Sequence, residues 1–472
     1  MIRRIDSCDV VAPPAAPITP AAPLGSGRAL ASPAPPPRSA ESIAREEALW
    51  DGLETLAGQP EAVATSTRIL RDGGEAWERR LELIASAERS IISPMYHVDG
   101  DPLGIEFVQA LTARAREGVN VILNVDYVAE EIGNMLHCTA EQVTMLEDAL
   151  AELEAAGGII AWYGVLAENV SHVASGSHFK GIIVDGERAI VGGRNIAMQY
   201  FGDWFDFDVE LSGPVVADIA ELAFEQLGRS DPIIYRSEAA PPLTYEEYAR
   251  RVERAQADVM RMQRRERVRL FNERQDGIVR DDPTFIVIGH DPTFEDGPNP
   301  ITEAMVRLID ATEHSMRLSS VFFRAPAEIQ EAVLRARARG VRVTILTTGE
   351  DEAREISALP YLNAEAAYGP LLAAGVDIEE TDQTEHGKMY VFDDRIAAFG
   401  SYNIEQPADD RLVEQLIITR DPAMVGDIAN IFDDMVETHA TPYTGDRSRR
   451  SFWETLLRPL QTAAALFLGP FI

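Results

Sequence analysis

Two stretches of the chain carry the same reactive residue types in the same frame. His178 is followed at +2 by Lys180, at +7 by Asp185, at +14 by Gly192 and at +17 by Asn195, and His386 is followed at the same intervals by Lys388, Asp393, Gly400 and Asn403. Eleven residues beyond each Asn stands a carboxylate, Asp206 in the first copy and Glu414 in the second. A carboxylate on one ring nitrogen lets an imidazole present the other in a defined protonation state, as a nucleophile or a proton donor. A cation and an amide donor beside it are the groups that offset developing negative charge. One His-x-Lys alone carries no information; two in one frame are specific.

Each motif needs an element that gathers its members. Residues i and i+2 of a strand share a face, so His178 and Lys180 project together, as do His386 and Lys388. Asp185-Gly186 and Asp393-Asp394 then supply turn residues before a second apolar run, which predicts a hairpin. With two-residue loops, Gly186-Glu187 and Asp394-Arg395, His178 falls opposite Asn195 and His386 opposite Asn403. Asp185 and Asp393 are read as structural turn residues.

The duplication extends well beyond the motifs. Residues 90–96 read as a strand, 105–117 as an amphipathic helix and 119–125 as a buried strand. The second half repeats this with an extended 315–323, a helix over 327–339 and a strand over 341–346. Such alternation implies parallel strands with crossover helices. The simplest arrangement relates two lobes by pseudo-twofold symmetry with both His residues at the seam, so that one active site arises from two halves. Residues 1–40 form an Ala/Pro-rich tail that cannot propagate a helix or central strand. The first lobe is expected over 41–232, opening with a helix capped by Ser39 or Ser42. A helical linker spans 233–282, with an apolar stripe at Tyr245, Tyr248, Val252, Ala255, Val259 and Met262, and the second lobe spans 283–440.

The doubled His-x-Lys-x4-Asp frame resembles the phospholipase D superfamily. The run Val-Gly-Gly-Arg-Asn-Ile at 191–196, and the run from Asp206 through Asp208 to Gly213-Pro214, are most similar to its bacterial cardiolipin synthase branch. The likeness covers residues 65–440. After the second Asn such enzymes usually carry Asp-Pro-Arg-Ser or close to it, whereas this chain has Glu405-Gln406-Pro407-Ala408. The resemblance implies an α/β fold of two pseudo-symmetric phospholipase D-type lobes, each a mixed β-sheet flanked by helices, with the active site at the lobe interface. It implies a phosphatidyltransferase or phospholipase D working on glycerophospholipids through a phosphohistidine, with transfer to a phosphatidylglycerol hydroxyl as the first expectation. Hydrolysis to phosphatidic acid, a superfamily nuclease or other phosphodiesterase, and a non-catalytic membrane-binding relative are the alternatives.

On that reading one of His178 and His386 is nucleophile and the other general acid, the order being open. Lys180, Lys388, Asn195 and Asn403, with Ser401 and Gly193, contact the phosphate oxygens, and Asp206 and Glu414 orient the imidazoles. No metal and no cofactor is expected. His97, His137, His172, His290, His314 and His439 lack a repeated partner and are read as surface or loop histidines.

A length of 472 residues accommodates two full cores, and a net charge of −34 speaks against a broad nucleic-acid footprint, so no nucleic-acid partner is expected. Cys8 and Cys138 are too few for a disulfide framework and fit reduced cytoplasmic thiols. The 441–472 tail joins Arg447, Arg449 and Arg450 to Phe452, Trp453 and a very apolar end, a profile suited to a membrane interface. The expected partners are therefore phospholipid substrates and, through that tail, a membrane surface, giving a cytoplasmic, peripherally membrane-associated protein; the sequence does not set an oligomeric state.

Overall fold

The computed structural model describes residues 39–164, 176–275, 282–292, 297–356 and 358–445. The first sheet has seven strands in the order Ser66–Leu70, Asp208–Ser212, Arg188–Gly192, Gly181–Val184, Ser90–Met95, Asn120–Asp126, Ile159–Tyr163. Its last three strands are mutually parallel and the rest pair antiparallel, so the sheet is mixed. The second sheet repeats the order and directions with Thr284–His290, Leu412–Thr419, Ile396–Gly400, Met389–Phe392, Ser315–Ser319, Arg342–Thr348 and Asp377–Thr381. Crossover helices follow the parallel strands in both, Pro102–Arg116 and Ala140–Ala155 in the first lobe, Ala327–Ala338 and Ala358–Ala373 in the second.

Each lobe has an outer core, and a third cluster is common to both. It joins Phe207, Val209 and Ile219 of the first lobe to Phe285, Val391, Phe399 and Ile417 of the second. The Phe207 and Phe399 rings lie 6.1 Å apart across this seam. Aromatic and β-branched side chains buried from two sheets at once hold the lobes as one body, which fixes whatever lies at the seam.

Both hairpins are one residue out of the expected register. Val184 pairs with Arg188 and Phe392 with Ile396, leaving the three-residue loops Asp185-Gly186-Glu187 and Asp393-Asp394-Arg395. The reason is electrostatic and local. The Asp185 carboxylate accepts from the backbone N–H groups of Glu88, Arg89 and Ser90, at 2.9, 2.7 and 2.9 Å. Asp393 does the same for Glu313, His314 and Ser315, at 2.8, 2.7 and 2.9 Å. Reaching those amides turns the backbone into the left-handed region, with φ of 56° at Asp185 and 54° at both Asp393 and Asp394. Asp tolerates this conformation and Gly186, at φ 65°, adopts it freely.

The domain limits shift at both ends. The opening helix Ala40–Ala57, capped by Ser39 as expected, inserts Trp50 and Leu53 into the second lobe's core beside Ile286 and Leu308. Strand Ala62–Val63 likewise pairs with Thr284–His290, so 41–63 adds to the second lobe's sheet and core, with Ala62 also packed on the cluster common to both lobes. Its apolar residues match the edge that Thr284–His290 exposes, and chain order does not encode that choice. Strand Ala440–Pro442 adds to the second sheet, with Tyr443 against Tyr368. The helix Tyr245–Gln275 buries Tyr248, Ala255, Val259 and Met262, while Tyr245 stands outside the stripe with its hydroxyl on Asp231. Arg251 ties this helix to the first lobe through Asn120 and Gly157. The membrane-interface reading of the C-terminal tail lies outside the described residues.

Removing either turn carboxylate leaves three mostly part-buried amides without their acceptor, a loss of roughly 2–3 kcal/mol. Asp185→Ala and Asp393→Ala should each lower the thermal midpoint by several degrees; a scanning calorimetry trace matching the parent would mean the amides find other partners.

Candidate active site

The seam is built by exchange between lobes. The His178 backbone N–H donates to the Val413 carbonyl at 3.0 Å, and the His386 N–H donates to the Phe205 carbonyl at 2.8 Å. Those acceptors immediately precede Glu414 and Asp206, so each pin sets a carboxylate beside the other lobe's imidazole. His178 Nδ1 lies 2.9 Å from Glu414 Oε1, and His386 Nδ1 lies 2.7 Å from Asp206 Oδ2. The imidazole–carboxylate pairs are thus crossed, although each half of the sequence carries one of each. Nδ1–H directed at a carboxylate leaves Nε2 of each ring as the basic atom.

Close approach of Asp206 depends on Gly193, where an added Cβ would stand 2.2 Å from Asp206 Oδ1. The second copy has Ser401 at this position, and its hydroxyl donates to Glu414 and accepts from the Gln415 N–H. Ser401 and Gly193 therefore act on the carboxylates; the Gly193 N–H is directed to the Phe207 carbonyl. Neither is presented as the phosphate contact that the motif suggested. Buried Arg194 binds the carbonyls of Asp206, Tyr200, Leu70 and Arg71 and the Asp208 carboxylate, fixing the chain that carries Asp206.

Both lysines are buried beside the rings. Lys180 Nζ donates to the His178 carbonyl at 2.6 Å, and Lys388 Nζ donates to the His386 carbonyl at 2.5 Å while lying 2.9 and 3.2 Å from that ring's two nitrogens. Asn195 Nδ2 donates to the Tyr200 hydroxyl at 2.9 Å and Asn403 Nδ2 to Glu405 at 2.8 Å, with both Oδ1 atoms buried and unpartnered. His178 and His386 open onto one cavity of about 480 Å³, also lined by Tyr96, Asp126, Trp204, Val321 and Phe322. All eight residues expected to form the reactive set are thus gathered at one seam.

Burial sets the electrostatics. It holds both imidazoles well below the usual histidine range, helped by the two ammonium groups. It also lowers Lys180 and Lys388 and raises Asp206, and it pushes Glu414 up to about 8. Desolvation disfavours each charge singly, so the two ammoniums and the surrounding carboxylates, Glu405 among them, sustain one another while the imidazoles are held towards their neutral form. A bound monoanion upsets that balance by one negative charge, which is restored if one imidazole takes up a proton.

Sequence reasoning missed several lining residues. His97 lies in the loop after Ser90–Met95, as expected, but is buried in the cavity wall, whereas His290 is buried in its strand opposite Glu414 and is neither a surface nor a loop residue. His137 is exposed at the cavity rim, His314 is exposed, His439 is half-buried on Asp382, and His172 lies outside the described residues. Asp126 ends a parallel strand and caps the next helix on Ala129 N–H, while its other oxygen accepts from Ser177 N–H. A carboxylate at the carboxyl end of a buried strand was the available signal for it. Burial pushes Asp126 up to about 7.

Two duplicated lobes, joined so that a His-x-Lys pair from each opens onto one cleft, are the arrangement that the resemblance to the phospholipase D superfamily implies, and the chain is similar to bacterial cardiolipin synthases. The family model described as the cardiolipin synthase, phospholipase D-like domain matches residues 305–436. Cardiolipin synthase from Halalkalibacterium halodurans is 24% identical over 372 residues, 76% of this chain and 64% of that protein. Cardiolipin synthase A from Pseudomonas aeruginosa is 24% identical over 395 residues, 82% of this chain and 70% of that one. The chain thus spans just under two thirds of the first of these relatives. The fold also matches phosphatidylserine synthase from Haemophilus influenzae, with a TM-score of 0.66 at 13% identity, covering 92% of this chain and all of that one.

Isothermal titration with diethyl phosphate, a monoanion, in buffers of different ionisation enthalpy near pH 7.5 should report uptake of roughly one proton per anion bound. Zero uptake would mean that an imidazolium is already present in the free site.

Proposed function

We propose that the protein is a phosphatidyltransferase that acts on glycerophospholipids through a phosphohistidine, with a phosphatidylglycerol hydroxyl as acceptor. The observation that carries this reading is the pair of buried imidazoles, each oriented by a carboxylate of the opposite lobe and flanked by a buried ammonium. In the first half-reaction Nε2 of one His attacks phosphorus, a P–N bond forms and the P–O bond to the departing alkoxide breaks. The other His, protonated on anion binding, delivers its proton to that oxygen. Lys180, Lys388 and the Asn195 and Asn403 amides offset the charge gathering on the non-bridging oxygens. Tyr200 can donate as well as accept, so the Asn195 amide can turn its N–H groups towards the cleft.

In the second half-reaction the imidazole that lost its proton takes one from the acceptor hydroxyl, whose oxygen attacks phosphorus as the P–N bond breaks. Water in the acceptor's place gives phosphatidic acid by the same steps, so partition between the two is a property of the acceptor's binding. The likeness to cardiolipin synthases favours transfer. No described helix is long and apolar enough to cross a membrane, and peripheral attachment through 447–472 accords with a lipid substrate.

Incubation with vesicles of phosphatidylglycerol and phosphatidylethanolamine, read by lipid mass spectrometry, should yield cardiolipin. Phosphatidic acid alone would make the protein a hydrolase, and cleavage of DNA with no lipid product would make it a nuclease. His178→Ala and His386→Ala should each lower turnover at least about a thousandfold. Acid quench of the wild type should trap phosphate on one of these two residues, and label on neither rejects the covalent scheme.

A further inference from the structure

The two halves of the cleft are symmetric in backbone and unlike in chemistry. The Asp99 N–H donates to the Ile196 carbonyl just as the Arg324 N–H donates to the Ile404 carbonyl, which aligns the lobes residue by residue at the cavity wall. In that alignment the first lobe has Tyr96, His97, Tyr200 and Trp204 where the second has Val321, Phe322, Ala408 and Leu412. All of these except Ala408 line the cavity. At these matched positions the first lobe presents hydrogen-bonding rings and the second lobe apolar side chains, while Asn403, Glu405 and Arg411 add polar groups elsewhere on the second lobe's wall.

The polar wall holds buried atoms whose hydrogen bonding is incomplete. His97 Nε2 and Asp99 Oδ1 lie 3.1 Å apart, an ion-pair contact in which neither atom completes a hydrogen bond, and of the two His97 lines the cavity. His97 is 6% exposed and Asp99 3%. Gln199 donates to the other oxygen of Asp99 at 3.3 Å, and Glu130 is spent on the Val98 N–H. The helix Tyr127–His137 covers the site through Gly133, where a Cβ would meet the His97 ring at 3.3 Å, and Asn134 on that helix has a buried, unpartnered Oδ1. Buried polar atoms without partners are costly unless a ligand completes them.

We propose that His97, backed by Asp99, forms the subsite for a polyol acceptor, a glycerol-type headgroup whose hydroxyl completes the hydrogen bonding of the imidazole, while Val321 and Phe322 face the apolar glyceride of the donor. The inference rests on the phosphatidyl-transfer reading and names its acceptor. A neutral polyol fits better than an amine, because the wall adjoins two buried ammonium groups and Asp99 already faces His97. The subsite holds one hydroxyl of the acceptor while another is directed at phosphorus. That hydroxyl's oxygen forms the new P–O bond, the P–N bond of the phosphohistidine breaks, and the proton passes to the second imidazole. His97 stacks edge-on to Tyr200, which meets the His386 ring in turn, so the subsite adjoins the reacting pair without belonging to it.

The test supplies deuterated glycerol and deuterated ethanolamine to phosphatidylglycerol vesicles and measures labelled lipid against phosphatidic acid. Wild type should incorporate glycerol saturably and in preference to ethanolamine. His97→Phe, which copies the second lobe, should lower the ratio of labelled phosphatidylglycerol to phosphatidic acid by roughly tenfold or more, and Asp99→Asn by less. His97→Gln, smaller and still polar, should fall between and guards against a misfolded Phe variant. An unchanged ratio in all three variants overturns the subsite and leaves the transfer reading standing. Equal loss of both products in His97→Phe and His97→Gln assigns His97 to the common steps and also overturns it. Preference for ethanolamine overturns the polyol assignment. Wild type that forms phosphatidic acid alone overturns the transfer reading itself.

Discussion

Buried ammoniums, carboxylates and imidazoles must balance at the seam, and the rest of the molecule is arranged to let them. An unpaired ammonium or carboxylate at this depth would cost several kcal/mol. Here each ionisable side chain is opposed by one from across the interface, and His178–Glu414 and His386–Asp206 make the opposition reciprocal. Neither lobe could keep its histidine oriented alone, because the carboxylate that orients it belongs to the other. The common apolar core is what makes this arrangement rigid enough to hold pairing distances of 2.7 and 2.9 Å.

Much of this was legible in the chain because duplication is a form of internal evidence. The doubled frame located the eight residues that the seam brings together, and the alternating apolar runs located the strands and helices that carry them. The crossing of the carboxylates was not legible, since equal spacing from Asn to Asp206 and from Asn to Glu414 says that each lobe has one and not whose imidazole it meets. The hairpin register was missed by one residue because the amide cage around Asp185 and Asp393 is assembled from residues some ninety and eighty positions earlier. The placement of the opening helix was missed for a related reason, as Trp50 and Leu53 finish a core whose other members come after residue 285.

His97 shows the opposite failure. A search for repetition discards any residue whose counterpart differs, and the counterpart of His97 is Phe322. Divergence between duplicated halves is where a symmetric cleft acquires two unlike ends, so the residues least like their copies are the ones that distinguish its two walls.

The crossed pairing also bears on how the chain is made. Because a protein emerges from the ribosome N-terminus first, the first lobe can acquire its sheet while the second is still unsynthesised. Throughout that interval His178, Lys180 and Asp206 are present without Glu414, Lys388 and His386. The strand bearing Glu414 must also insert between Thr284–His290 and Ile396–Gly400 before the set is complete. Contacts this distant in sequence form late. The nascent first lobe thus has one ammonium, one imidazole, one carboxylate and a half-made apolar seam open to water, and the crossed pairs are assembled only when nearly the whole molecule exists.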